Sequence, residues 1–247
     1  MSVKELDFSG QTVLVVGGTS GIGNGIARSF LERGAAVHVC GTRSRAEDYT
    51  GEPGSNLDGL SFDRLDVTDE RALLEYSPSF DRLDVLVLSQ GAVVYRRGEF
   101  EKAGWDRVMA VNLDSVMACA MKFRPRLAAA RGALIILSSI SGFRANRGNP
   151  AYAASKAALV NLTRTLGEAW AGDGIRVNGI APGLVHTKLT KVTVEHPQRL
   201  AAALEEIPLR RLGEPQEIGG VAVFLASSLA SYVIGQTILV DGGMSCG

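Results

Sequence analysis

Short β-branched and aliphatic runs alternate with longer helical patterns along this chain, and no other feature restricts its possible folds so sharply. The alternation opens with Thr12–Val16, a helical pattern over 21–33 and a second apolar run over 36–40, which reads as β-α-β. Further apolar runs at 60–65, 85–88, 133–138, 175–180 and 237–240 are each bounded by polar or glycine residues. Strands apolar on both faces, spaced by helical patterns over 106–130, 151–171 and 214–227, belong to a parallel sheet covered by helices on both sides. The expectation is a doubly wound α/β fold with a seven-stranded parallel sheet. No compositional break longer than a loop divides the chain, so residues 1–247 are expected to form one domain. Between the second and third strands Gly51, Pro53, Gly54 and Gly59 exclude a long crossover helix and leave a loop with one helical turn. The segment 184–208, with Pro197 and Pro208 around a short helical pattern near 198–206, is expected to be a lid at the carboxyl end of the sixth strand.

Charge and cysteine usage narrow the function classes. Lys+Arg and Asp+Glu both number 26, so no net field concentrates polyanions and a nucleic-acid partner is not expected. The apolar runs are far shorter than the roughly 20 residues that span a bilayer, so no membrane partner is expected either. Cys40, Cys119 and Cys246 are odd in number and scattered, and the first residues carry no basic-then-apolar signal; a cytoplasmic, disulfide-free protein fits.

The run VLVVGGTSGIG places Gly17, Gly21 and Gly23 where the first strand turns into the first helix, with Thr19, Ser20 and Ile22 between them. Glycines there let backbone N–H groups approach a pyrophosphate that the positive helix end also attracts, so a dinucleotide site is expected. An acid at the end of the second strand would bond a ribose 2′-hydroxyl and repel a 2′-phosphate. Gly41 stands at that position, followed by Thr42 and Arg43, which favours NADP(H) over NAD(H).

In NPAYAASKAAL, Tyr152 and Lys156 lie four residues apart on one helix face, a phenol beside an ammonium suited to proton exchange at a carbonyl or alcohol oxygen. Ser139, in SSISG, directly follows the fifth strand, where such a sheet binds its ligands. His38, His186 and His196 have neither ligand spacing nor acidic companions, so no metal is expected.

These residues resemble the short-chain dehydrogenase/reductase family, specifically its single-domain members, over nearly the whole chain. GGTSGIG, LDVTD, the Asn112 of VMAVNLDS, Ser139, Tyr152-x-x-x-Lys156 and APGLVHT occur in the right order, and the C-terminal PLRRLGEPQEIGG and GQTILVDGG are similar to ketoacyl-carrier-protein reductases. The resemblance implies a Rossmann-type sheet, with Tyr152 as proton donor or acceptor, Ser139 on the substrate oxygen, Lys156 gripping the nicotinamide ribose and lowering the Tyr152 pKa, and Asn112 holding a relay water. It implies that Asp66 and Val67 contact the adenine, and that Val185 and Thr187 meet the carboxamide after a turn at Pro182 and Gly183. The structural rivals are that Asp66 caps a short helix, Asn112 satisfies backbone in a kinked one and Thr187 starts the lid helix. Two departures stand out: Val16 precedes the glycines, and Leu88-Ser89-Gln90-Gly91 follows the fourth strand, leaving Ser89 and Gly91 as the expected cofactor contacts there and Ser89 or Gln90 to tie that loop to the glycine turn.

The expected activity is hydride transfer between NADP(H) and a ketone or secondary alcohol, as in a carbonyl or 3-ketoacyl reductase, with a small-molecule substrate and a homotetramer as the implied assembly. Two alternatives remain open at this point: an NAD-dependent alcohol or dihydrodiol dehydrogenase, and a non-catalytic nicotinamide-binding regulator. The substrate pocket is expected from 92–97, 140–149 and the lid, and Arg96, Arg97, Arg144 and Arg147 there either meet an anionic substrate or are solvated.

Overall fold

The structure, a computed structural model, describes residues 4–246, so the first three residues and the last of the expected domain lie outside it. Seven strands, β1 (Thr12–Val16), β2 (Ala36–Gly41), β3 (Ser61–Arg64), β4 (Val85–Leu88), β5 (Ala133–Leu137), β6 (Arg176–Pro182) and β7 (Thr237–Val240), form one all-parallel sheet in the order β3-β2-β1-β4-β5-β6-β7. Every residue of β4 and β5 is buried, as strands covered on both faces must be. Edge strands β3 and β7 are only partly covered.

The helices are α1 (Gly21–Leu31), α2 (Glu70–Glu75), α3 (Lys102–Met109), α4 (Ser115–Ala130), α5 (Pro150–Trp170), α6 (Lys191–Val194), α7 (Pro197–Glu206) and α8 (Pro215–Ala226). One core packs β-strand side chains against Phe30 of α1 and Ile218 of α8, and the other against Phe123 of α4 and Leu159 of α5. The fold is therefore doubly wound. The chain reverses its direction of winding between β1 and β4, and their carboxyl ends open the crevice in which such sheets bind ligands.

Three elements differ from the sequence expectation. The pattern over 106–130 is not one α-helix: α3 begins earlier, and a π turn over Ala110–Asp114 joins it to α4. Apolar periodicity cannot register one extra residue per turn, and such turns occur mostly at functional sites. The acidic residue that caps a short helix is Asp69, which accepts from the Ala72 N–H at 2.9 Å, while Asp66 closes a turn by accepting from Thr68 N–H and hydroxyl at 3.0 and 2.7 Å. The lid holds two helices, α6 and α7, where the sequence showed one. The β2–β3 crossover is reduced to a single helical turn over Ala46–Tyr49, as its glycines and proline required.

Candidate active site

A cleft of about 470 Å³ lies over the carboxyl ends of β1, β2, β4 and β5, and every expected cofactor residue except Gly183 and Val185 lines it. Gly17 and Gly21 have φ of +76° and +55°, and a side chain at Gly17 would stand 2.8 Å from the Gln90 backbone. The glycine turn can therefore sit directly beneath the loop after β4. Among the described residues the N–H groups of Ile22 and Gly23 have no acceptor in the first turn of α1, and Ser20 makes no side-chain cap. That leaves an anion-seeking helix end facing the cleft.

The sequence reading missed the segment that closes this end. Gly21 N–H donates to Gly54 O at 2.8 Å, and Asn24 exchanges hydrogen bonds with the Asn56 backbone at 2.9 and 3.1 Å. A glycine-rich loop long enough to reach back was the only available signal. Ser89 ties the β4 loop to the glycine turn through its main chain, donating to Val16 O at 3.0 Å, while Gln90 sends its amide to the Ser115 hydroxyl at 3.1 Å.

At the end of β2 a Cβ at Gly41 would lie 2.5 Å from the Tyr49 hydroxyl and 2.6 Å from Thr19, so an acid there would require both side chains to shift. Arg43 lines the cleft but is already engaged. Its guanidinium stacks on Tyr49, 4.6 Å from the ring centroid, and pairs with Glu52, to which Lys188 of the lid is also paired. Two cations thus share one carboxylate at the rim.

Tyr152 and Lys156 project from α5 into the same cleft. Lys156 is 4% exposed and donates to Leu137 O at 2.8 Å; burial pulls its pKa down to about 8. The SSISG loop lies flat on α5 at this point, because a side chain at Gly142 would stand 2.8 Å from the Lys156 backbone, and Ser138 donates to Lys156 O at 2.7 Å. This docking brings Ser139 beside Tyr152. Burial raises the Tyr152 pKa, the Ser139 hydroxyl opposes that rise, and Tyr95 and Glu99 add to it. The direction is opposite to the depression expected from Lys156. The ammonium, 5.7 Å from the centre of the phenol ring, is itself desolvated and turned toward Leu137 O.

Three expected residues lie elsewhere. Asn112 is 0% exposed, and its side chain pins Ala92 through N–H and C=O at 2.7 and 3.1 Å and donates to the Ser155 hydroxyl at 3.1 Å. Any water at Asn112 would have to use its main chain. Val185 turns into the core with its backbone paired to Gly213, and Gly183 packs against Asp241. Thr187 faces the cleft opposite Gly21 and also precedes the lid's first helical turn, so both readings of it hold. Leu189 of the lid, expected in the substrate pocket, lines the cleft, whereas Glu99 and Lys188 were not singled out from the sequence.

The residues present fit a nicotinamide dinucleotide. Free helix N–H groups suit the pyrophosphate, and among the described residues Lys156 has two further N–H donors with no protein acceptor. Among the described residues the buried Gln90 carbonyl oxygen has no partner. Among the described residues no group of three or more His, Cys, Asp or Glu is arranged to hold a metal, and no helix is long and apolar enough to cross a membrane.

The family described as enoyl-(acyl carrier protein) reductase matches residues 16–245. The chain is 35% identical to the 3-oxoacyl-[acyl-carrier-protein] reductase FabG of Chlamydia muridarum over 95% of this chain and 97% of that protein. It is 38% identical to the galactitol 2-dehydrogenase (L-tagatose-forming) of Cereibacter sphaeroides over 96% and 95% of the two chains. A gluconate 5-dehydrogenase from Burkholderia cenocepacia J2315, solved with NADP and tartrate, superposes with a TM-score of 0.88 at 29% identity, covering 100% of both chains.

Proposed function

The chain belongs to the short-chain dehydrogenase/reductase family, oxidoreductases acting on CH–OH and C=O groups, and from that membership we propose that it is an NADP(H)-dependent reductase of ketones, of the carbonyl or 3-ketoacyl type. The observation that carries the reading is that Tyr152, with Ser139 beside it, and Lys156 stand on one wall of a cleft whose other wall is the glycine turn.

A bound nicotinamide supplies or accepts the hydride. Tyr152 delivers the proton to the carbonyl oxygen during reduction and takes it back during oxidation. Ser139 would donate a hydrogen bond to that same oxygen, and Lys156 would hold the ribose with the N–H groups left over from its bond to Leu137 O. Asn112 braces the Ala92 backbone and Ser155, and so keeps the floor of the site in register with α5. Asp66 and Val67 would flank the adenine of a bound dinucleotide, and Thr187 would meet its carboxamide from the lid.

NADP(H) is preferred in this reading because Gly41 leaves no acid at the end of β2 while Arg43 and Lys188 stand at the rim. Arg43→Ala is expected to weaken NADP⁺ roughly 10-fold or more, the loss of one charge-assisted contact, and to leave NAD⁺ nearly unchanged. Fluorescence titration of both coenzymes checks this, and equal weakening of the two would show that Arg43 only shapes the loop.

The test of the function is the oxidation of NADPH and NADH, side by side, against diketones, ketoesters, acetoacetyl thioesters and aryl ketones. The likeness to galactitol 2-dehydrogenase favours one second reading, oxidation of a sugar alcohol, and net turnover direction with each coenzyme separates the two. We place the protein in the cytoplasm as a homotetramer. Exposed Trp105 and Met121 on α3 and α4, and Ile234 and Leu239 beside the β7 edge, supply two apolar faces for assembly. Light scattering is expected to give four chains at micromolar concentration, and a monomer there would refute the assembly.

A further inference from the structure

We propose that Glu99, a residue outside the set above, is a positioning residue whose carboxylate locks the start of α5, and with it Tyr152, to the loop that follows β4. The inference rests on the reading of Tyr152 as the proton donor.

Glu99 is 1% exposed, and among the described residues no Lys, Arg or His pairs with it. A buried carboxylate without a counter-cation is strongly disfavoured unless N–H groups solvate it. Three do: Oε2 accepts from the Tyr152 N–H at 2.9 Å, and Oε1 accepts from Asn149 Nδ2 and the Val94 N–H, each at 3.1 Å. The α5 N-terminus cannot supply its own cap. Asn149 makes no side-chain cap there, and Pro150 at the first position has no N–H. Glu99 reaches across from another segment to fill that role, against the positive end of a 21-residue helix.

The bond to Val94 extends the lock toward the substrate side. Arg96 and Arg97 have φ of 57° and 60°, two consecutive left-handed residues with side chains. Such strain persists only where the surroundings over-determine it. Here Val94 is held by Glu99 at one end, and the Tyr95 hydroxyl donates to Leu189 O of the lid at 2.6 Å. A continuous set of contacts thus runs from the lid through this loop to the Tyr152 backbone. Glutamine is nearly isosteric but would turn an NH₂ toward one of the three donors, and it removes the anion. The charged or titratable groups facing the Tyr152 phenol are Lys156 of α5, Tyr95 and Glu99, with the Ser139 hydroxyl completing its surroundings.

Glu99→Gln is expected to lower kcat roughly 10- to 100-fold, the scale of a displaced reacting group, with NADP⁺ affinity by fluorescence titration unchanged. Removing the anion is also expected to move the Tyr152 titration to lower pH, read by NMR of ¹³Cζ-labelled tyrosine with Tyr152→Phe identifying the signal. Glu99→Asp keeps the charge but shortens the reach, so it should lower kcat while leaving that titration in place. If Glu99→Gln does not fold, Glu99→Asp decides: reduced kcat with intact cofactor affinity supports the role, and wild-type kcat overturns it. A folded Glu99→Gln with wild-type kcat and an unmoved titration also overturns it. Absence of Tyr152-dependent turnover in the wild type would instead defeat the reductase reading, and the NMR titration would still decide whether Glu99 acts on Tyr152.

Discussion

Tyr152→Phe is expected to lower turnover by at least ~100-fold, the range for losing a general acid, while NADP⁺ binds nearly as before. The substitution removes one hydroxyl and leaves the ring in place. Lys156 keeps its bond to Leu137 O, and the glycine turn makes no hydrogen bond to the phenol among the described residues, so the cofactor cleft has no reason to change. The pH dependence follows from the direction of the phenol's shift. Burial holds Tyr152 above its ordinary value, so it stays protonated through the neutral range, as reduction requires. Oxidation requires the phenolate, and its rate should climb with pH into the alkaline range in the wild type only. Steady-state kinetics in both directions from neutral to alkaline pH check both statements. Residual turnover within a few-fold of wild type would remove Tyr152 from the chemistry.

The fold was legible because strands buried on both faces must be apolar throughout, which made β1, β4 and β5 plain in the sequence and fixed the parallel sheet. The glycine turn and the Tyr152–Lys156 pair were legible for a related reason: the motif residues lie within one turn or one helix. What was not legible depends on partners distant along the chain. Glu99 bonds a residue 53 positions away, Lys188 pairs with a carboxylate 136 positions away, and the Gly54 carbonyl reaches Gly21 only because two loops fold onto each other. The Asn112 side chain illustrates the same limit. The reading that it satisfies backbone in a kinked helix was open from the sequence, and it does so at Ala92, but the partners Ala92 and Ser155 and the π turn that aims it at them were not. The raised Tyr152 pKa was not legible either, because the Lys156 spacing suggested a charge effect while the direction follows first from burial, a property of the whole fold.

Lys156→Met separates what this site costs the fold from what it gives the chemistry. Turnover should fall at least ~100-fold and NADP⁺ affinity should fall with it, since the ammonium both holds the ribose and completes the field around the phenol. Stability should move the other way. The Lys156 pKa lies at about 8 in the folded protein against 10.5 for a free side chain, so below pH 8 both states bind the proton and the native state carries the full desolvation cost. From pH 8 to 10.5 the unfolded chain binds more protons than the native one, so wild-type stability gains from this group as pH rises, and above that window the cost is gone. Methionine fills a similar volume without the charge but leaves Leu137 O without its donor, so the net gain at pH 7 should be on the order of 1–3 kcal/mol. Denaturant unfolding of both proteins at pH 7 and near pH 10.5 measures it. The variant should be the more stable at neutral pH, with the advantage shrinking at the alkaline end. A variant that is less stable at pH 7 would mean that the bond to Leu137 O outweighs the burial of the charge, and that this lysine is part of what holds β5 to α5.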